Sequence, residues 1–256
     1  MSIDGFLPEQ KNAFTGFNRA WTERFFGYVQ KLAASLHVEV EGIERLPKQR
    51  ALLVANHGFG WEAVFPMSAI FSTTGRPLWT LGEHLWWEIP FLRRLAAAVG
   101  TVDGTQENLA RLLEAEQLVL VLPGGLREAV KPAALRYRLL WGHRFGFIKA
   151  ALRSQAPVVP VALLGGDEIF DFIGNPYDRG RRWFRHPDWP VPLPQRILPI
   201  PHRVRFRYVI GEPLRLDGAP EQAEDPEVLR RARYLVKGAL QELIDAELIK
   251  RTGLPV

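Results

Sequence analysis

Cysteine is absent from the chain, and with it go disulfides, thiolate zinc sites and thiol nucleophiles. Without thiols the protein is indifferent to redox, so this absence does not fix a compartment. No run of about 18 apolar residues occurs, so no transmembrane helix is expected. The opening MSIDGFLPEQKNAF lacks a basic start followed by an apolar core, and no signal peptide is expected. The chain therefore reads as soluble or surface-bound. There is no G-x-S-x-G, which leaves neither serine elbow nor thiol for a covalent intermediate. None of the six histidines pair at a spacing such as H-E-x-x-H, so no metal site is expected. The usual nucleic-acid motifs are missing too, and no nucleic-acid partner is expected.

The chain does have bulk and positive charge. Its 256 residues are 47% hydrophobic, enough for one large core. A net charge of +5 and a pI near 9.7 favour anionic partners such as phospholipid surfaces or phosphorylated small molecules.

Residues 11–35 repeat Phe14, Phe17, Trp21, Phe25, Tyr28 and Leu32 at helical steps, with Lys11, Arg19, Arg24 and Lys31 around them. Two readings stand: helix packed on the domain, or basic aromatic helix lying in a bilayer interface. Short strands then alternate with helices. Strands are expected at 37–42, 51–55, 77–81, 118–122, 157–165 and 203–211, and helices at 61–72, 89–98, 105–116, 143–154 and 225–250. That alternation predicts an α/β fold: a single domain with a largely parallel central sheet flanked by helices, behind an N-terminal amphipathic helical lead. The division is 1–35 for the lead and 36–256 for the domain. Residues 171–202 carry seven prolines and several arginines and fit no element. Such a length of loop is either a rigid brace or a functional lip, and the basic, aromatic lip meeting lipid head groups is favoured.

Two stretches carry chemistry. In VANHGFGWEAV (54–64) a buried-looking strand runs into Asn56 and His57, with Glu62 five residues beyond the histidine. On one continuous helix those two would be about 140° apart. They meet if His57 sits in the loop leaving the strand and the helix starts near Gly60, a turn that Gly58 and Gly60 allow. A carboxylate held on one imidazole nitrogen leaves the other to take a proton from a hydroxyl. The bland alternative is a structural histidine. In LPGGLREA (122–129), Pro123, Gly124 and Gly125 break the most apolar strand and expose backbone N–H groups, with Arg127 and Glu128 following. Both stretches fall at the carboxyl ends of strands, where open α/β sheets bind ligands. An anion or oxyanion site is expected at the second.

NH-x4-E followed about 60 residues later by PGG-x-x-E resembles the lysophospholipid acyltransferase superfamily (glycerolipid acyltransferase fold), most of all its monoacylglycerol and diacylglycerol acyltransferase-like branch. The likeness spans roughly residues 37–211. It implies His57 as general base and Glu62 as its orienting partner. It further implies that Asn56, Gly124, Gly125, Arg127 and Glu128 bind substrate. The stretch GTVDGTQENLARLL (100–113) stands where a second block often carries a phosphate-binding Arg, but it offers Asp103 and Asn108 instead. Glu62 replaces the commoner Asp, and Gly-Gly replaces the Glu-Gly of glycerol-phosphate acyltransferases. The expected activity is transfer of a fatty acyl group from a thioester, acyl-CoA or acyl carrier protein, to a hydroxyl of a glycerolipid or lysophospholipid-like acceptor. No cofactor beyond that co-substrate is expected. The alternative is a non-catalytic lipid-binding protein on the same fold. Expected partners are the acyl donor, the lipid alcohol, and a membrane surface touched through residues 14–32 and 179–185. The expected location is cytoplasmic, peripheral on the inner leaflet. His84 reads as structural, while Trp86 and Trp87 are candidates for an acyl channel or membrane contact.

Overall fold

The computed structural model describes residues 16–58, 63–82, 90–174, 182, 193–194 and 201–252. The described residues form a central sheet in the order β1-β9-β6-β2-β5-β3-β4. Its strands are β1 (Glu39–Glu41), β2 (Ala51–Ala55), β3 (Leu78–Gly82), β4 (Thr101–Asp103), β5 (Leu118–Val121), β6 (Val158–Leu164) and β9 (Arg207–Ile210). The helices are α1 (Arg19–Ser35), α2 (Val64–Thr74), α3 (Pro90–Ala98), α4 (Gln106–Glu114), α5 (Gly125–Ala129), α6 (Gly146–Ser154) and α7 (Pro226–Thr252). All neighbours in the sheet run parallel except β6 and β9, which are antiparallel. The single mixed α/β unit with a mostly parallel sheet is the one expected.

The strands β2, β5 and β6 are apolar at nearly every position because both faces of the sheet are covered. Successive side chains alternate between two core layers. On one face Leu52, Val54, Val119 and Val121 meet α4, α6 and α7 through Leu112, Ile148 and Leu240. On the other, Leu53, Ala55, Leu120 and Val161 meet α1 and α2 through Phe26, Ile70 and Phe71. Register aligns Val54 with Val121 on one side and Pro160 on the other. The loops after β2, β5 and β6 therefore leave from one edge of the sheet.

Three expectations need correction. Part of 171–202 does form structure: β7 (Phe172–Gly174) pairs antiparallel with β8 (Leu193–Pro194). Residues 101–103 make a strand that the short sequence did not advertise. Residues 125–129 turn into a helix despite the preceding Pro-Gly-Gly, because Gly124 already has helical angles.

The N-terminal lead begins, in the described residues, with Asn18 capping α1 by accepting the Trp21 N–H at 2.9 Å. Thr22 Oγ1 donates to Ala98 O at 2.7 Å, which fastens α1 to the end of α3. The side facing the core is Thr22, Phe26 and Val29. The expected aromatic stripe is split: Phe17 and Phe25 pack partly buried against the core, whereas Tyr28 is 70% exposed and Leu32 51%, with Trp21 at the surface stacked on Phe25 at 5.0 Å. α1 thus leaves the Trp21, Tyr28 and Leu32 part of its apolar surface uncovered. Phe14, most of 179–185, His84, Trp86 and Trp87 lie outside the described residues.

Candidate active site

Strand β2 ends at Ala55, and Asn56 extends its pairing by side chain. Its Oδ1 accepts the Leu163 N–H at 2.7 Å and its Nδ2 donates to Leu163 O at 2.8 Å, fully buried. The amide replaces a rung of the ladder between β2 and β6 and fixes where the next residue starts. Both of its polar atoms are turned to Leu163.

His57 follows, partly buried, and is held through its main chain. Its N–H donates to Glu128 Oε1 at 2.8 Å, and its carbonyl accepts from Lys131 Nζ at 3.1 Å. Burial, reinforced by the nearby Lys131 cation, lowers the imidazole to about 4. The ring is neutral at physiological pH. Glu62, its expected partner, lies outside the described residues.

Glu128 belongs to α5, the helix after β5, and its side chain points inward with no exposed surface. Besides the His57 N–H it accepts the Leu140 N–H at 2.6 Å. Burial pushes its carboxyl up to about 7, against the opposing pull of Lys131 and those two N–H groups. Gly124 has to be glycine here: a Cβ on it would overlap the Cβ and carboxylate of Glu128.

The rest of the Pro-Gly-Gly turn differs from expectation at one point. The N–H of Gly125 donates to Leu122 O at 3.0 Å, so it closes the turn instead of facing outward. Gly125 adopts φ +52°, and the guanidinium of Arg144 lies over it while donating to Pro123 O at 2.8 Å. Arg127 is on the surface of the same short helix. In the second block, Asn108 Nδ2 donates to Asp103 O at 2.9 Å, closing the start of α4.

Sequence reasoning missed Lys131 and Asp167. Their side chains are each 2% exposed and bridge at 2.8 Å. Burial raises the Asp167 carboxyl while Lys131 draws it down. It also accepts the Tyr137 N–H at 2.6 Å. A signal existed: LLGGD (163–167) repeats the pattern of apolar strand, glycine pair and acid seen at 121–128, and Lys131 stands three residues after Glu128 among apolar neighbours. The loops leaving β2, β5 and β6 thus converge on one buried knot behind His57. Among the described residues, no group of three or more His, Asp or Glu is placed to hold a metal ion. No described helix is long and apolar enough to cross a membrane.

The chain resembles known proteins along most of this architecture. An uncharacterized protein of Mycobacterium tuberculosis (strain H37Rv) is 30% identical over 233 residues, covering 85% of this chain and 63% of that protein. A mouse protein named DGAT1/2-independent enzyme synthesizing storage lipids is 28% identical over 222 residues, covering 81% and 59%. The chain thus spans less than two thirds of the length of these relatives. The crystal structure of the 1-acyl-sn-glycerophosphate (LPA) acyltransferase PlsC from Thermotoga maritima superposes with a TM-score of 0.52 at 16% identity, covering 88% of this chain and 79% of that one, a likeness of fold. The model of the diacylglycerol acyltransferase family matches residues 51–188, which include Asn56, His57, the Pro-Gly-Gly turn, Glu128, Lys131 and Asp167. With more than half of its length matched, the chain belongs to the diacylglycerol acyltransferase family.

Proposed function

We propose that the protein is an O-acyltransferase that moves a fatty acyl group from acyl-CoA or acyl carrier protein to a hydroxyl of a glycerolipid or lysophospholipid-like acceptor. The observation that carries this reading is the fixing of His57. Both of its main-chain groups are held, by Glu128 and Lys131, beside the Pro-Gly-Gly turn at the carboxyl edge of the sheet. His57 takes the acceptor's hydroxyl proton as that oxygen attacks the thioester carbonyl. The C–S bond then breaks and the imidazolium returns the proton to the leaving thiolate. An imidazole lowered to about 4 is a weak base by itself. Glu62 has the role of stabilising the imidazolium as it forms, so the carboxylate matters more here than beside a solvated histidine. Both substrates bind together, since no serine elbow or thiol exists to hold an acyl group.

In this scheme Asn56 and Glu128 serve substrate binding indirectly, through the position of His57. Gly124, Gly125 and Arg127 border the acceptor and the developing oxyanion. Family membership, the storage-lipid name of the mammalian relatives and the pairing of Arg111, the one arginine of 100–113, with Glu107 at the surface together favour a neutral glyceride alcohol. The acceptor is reached from a membrane surface on the cytoplasmic side, and the uncovered face of α1 supports that reading. No cofactor takes part beyond the acyl donor.

The test is a panel of radiolabelled acyl-CoA and acyl carrier protein donors against glycerides, lysophospholipids and fatty alcohols, with wild type and His57→Ala side by side. Ester product from wild type and none from His57→Ala is expected. Equal turnover by the two would remove His57 from catalysis. Lipid binding without product from any pair would replace the enzyme with a lipid-binding protein.

A further inference from the structure

Among the described residues Lys131 is the one lysine or arginine that is buried, at 5% exposure, and no step of the reaction above uses it. Its ammonium has three N–H groups and three oxygen partners: His57 O at 3.1 Å, Glu128 O at 3.2 Å and Asp167 Oδ2 at 2.8 Å. Each partner comes from the segment that follows a different strand, the loops after β2 and β6 and the helix α5 after β5. A buried charge of this kind is costly unless fully paired, and replacing such groups by apolar ones is often neutral for stability. Stability alone therefore does not explain it.

From this geometry we infer that Lys131, seated on Asp167, is a positioning residue that holds the His57 peptide in register with α5. The inference rests on His57 being the base. The main-chain clamp works from both sides, with the Glu128 carboxylate on the N–H and the Lys131 ammonium on the C=O. The imidazole feels the same cation as a repulsion toward its own protonation. The charged groups facing this cluster are Glu128 from α5, Asp167 and, donating its Nε to Asp167 O at 3.0 Å, Arg136 from the loop between. Lysine suits the place because its compact ammonium presents three donors from a point, which a planar guanidinium does not.

The experiment pairs kinetics with histidine ring NMR. In the resting wild-type protein the His57 imidazole is expected to stay neutral until about pH 4, and its backbone amide to exchange as slowly as strand amides. The double variant Lys131→Met/Asp167→Asn removes the charge pair without leaving either partner alone. It is expected to bind acyl donor with KM nearly unchanged, to lose about 100-fold in kcat through misplacement of the base, and to titrate His57 at a higher pH. Lys131→Arg, which keeps the charge, should recover the low titration but not the turnover. Unchanged kcat together with an unchanged His57 titration in the double variant would overturn the inference. So would a wild-type His57 that titrates near 6.5 with a fast-exchanging amide, a measurement that stands even where the variants fail to fold. Should His57→Ala keep its activity, the general-base reading falls while the titration arm still reports on the clamp.

Discussion

Replacing Gly124 by alanine would add one methyl group at the point where the Glu128 side chain folds back under the turn. The new Cβ would overlap both the Cβ and the carboxylate of Glu128, so the carboxylate has to leave. Two backbone N–H groups, of His57 and Leu140, then lose their acceptor. An orphaned buried donor costs about 1–3 kcal/mol, which makes roughly 2–6 kcal/mol for the pair. An opposing effect depends on pH. Burial raises the Glu128 carboxyl from 4.5 to about 7, so the folded state favours the protonated form. The stability of keeping it inside is fully present below pH 4.5 and is lost as pH rises through about 7. Freeing the carboxylate returns just under about 1 kcal/mol at pH 5 and about 3 kcal/mol at pH 8. At pH 5 the lost hydrogen bonds win, and the melting temperature should fall by roughly 5–15 °C. At pH 8 the fall should be much smaller, while turnover is depressed at both because His57 has lost its tether. The assay is thermal unfolding followed by circular dichroism at the two pH values, with acyl transfer measured on the same samples. A variant that melts within about 2 °C of wild type at pH 5 and turns over normally would show that the carboxylate does not hold the His57 loop.

Asn56→Leu should destabilise by roughly 2–5 kcal/mol, since both Leu163 main-chain groups lose their partner; chemical denaturation measures it, and a loss below about 0.5 kcal/mol contradicts the rung described above. Glu62→Gln should keep donor binding and cut kcat steeply, because an amide does not stabilise an imidazolium; a change under about threefold, well below 1 kcal/mol, would remove Glu62 as the partner of His57. The protein should cosediment with anionic vesicles at low salt, where each nearby basic side chain contributes about 1 kcal/mol. Trp21→Ser/Phe25→Ser should weaken what remains at high salt, and wild type staying in the supernatant with every lipid would end the surface-binding reading.

Most of the architecture was legible because apolar runs are its direct cause. ALLVA and LVLV had to be covered on both faces, and they lie side by side at the centre of the sheet. The direction of β9 was not legible, since RYVI looks the same whichever way it pairs. Nor was the covered side of α1. Trp21, Tyr28 and Leu32 belong to the larger stripe by sequence, yet Thr22, Phe26 and Val29 are the ones buried, with Thr22 bonded to Ala98 O. At the site, His57 and the glycine turn declared themselves through strand ends. Glu128, next to the exposed Arg127 after a glycine turn, gave no sequence sign that it turns inward to the His57 and Leu140 N–H groups. Lys131 and Asp167 left only the faint pattern noted above, because they stand 36 positions apart and only folding makes them a pair.

The antiparallel pairing of β9 with β6 bears on how the chain assembles during synthesis. Strands β2 to β6 lie within residues 51–164, and their pairings with one another are complete within that stretch. Strand β6 then waits as an open, wholly apolar edge until residues 207–210 emerge, a few seconds later at about 5–20 residues per second. Such an edge invites pairing with a stray strand from another chain. Its third residue is Pro160, whose missing N–H interrupts any foreign ladder but costs the native one little. The finished sheet uses only the Pro160 carbonyl, which accepts the Gly211 N–H at 2.8 Å. A proline in the middle of this strand thus leaves the open edge one donor short for as long as β9 has yet to cover it.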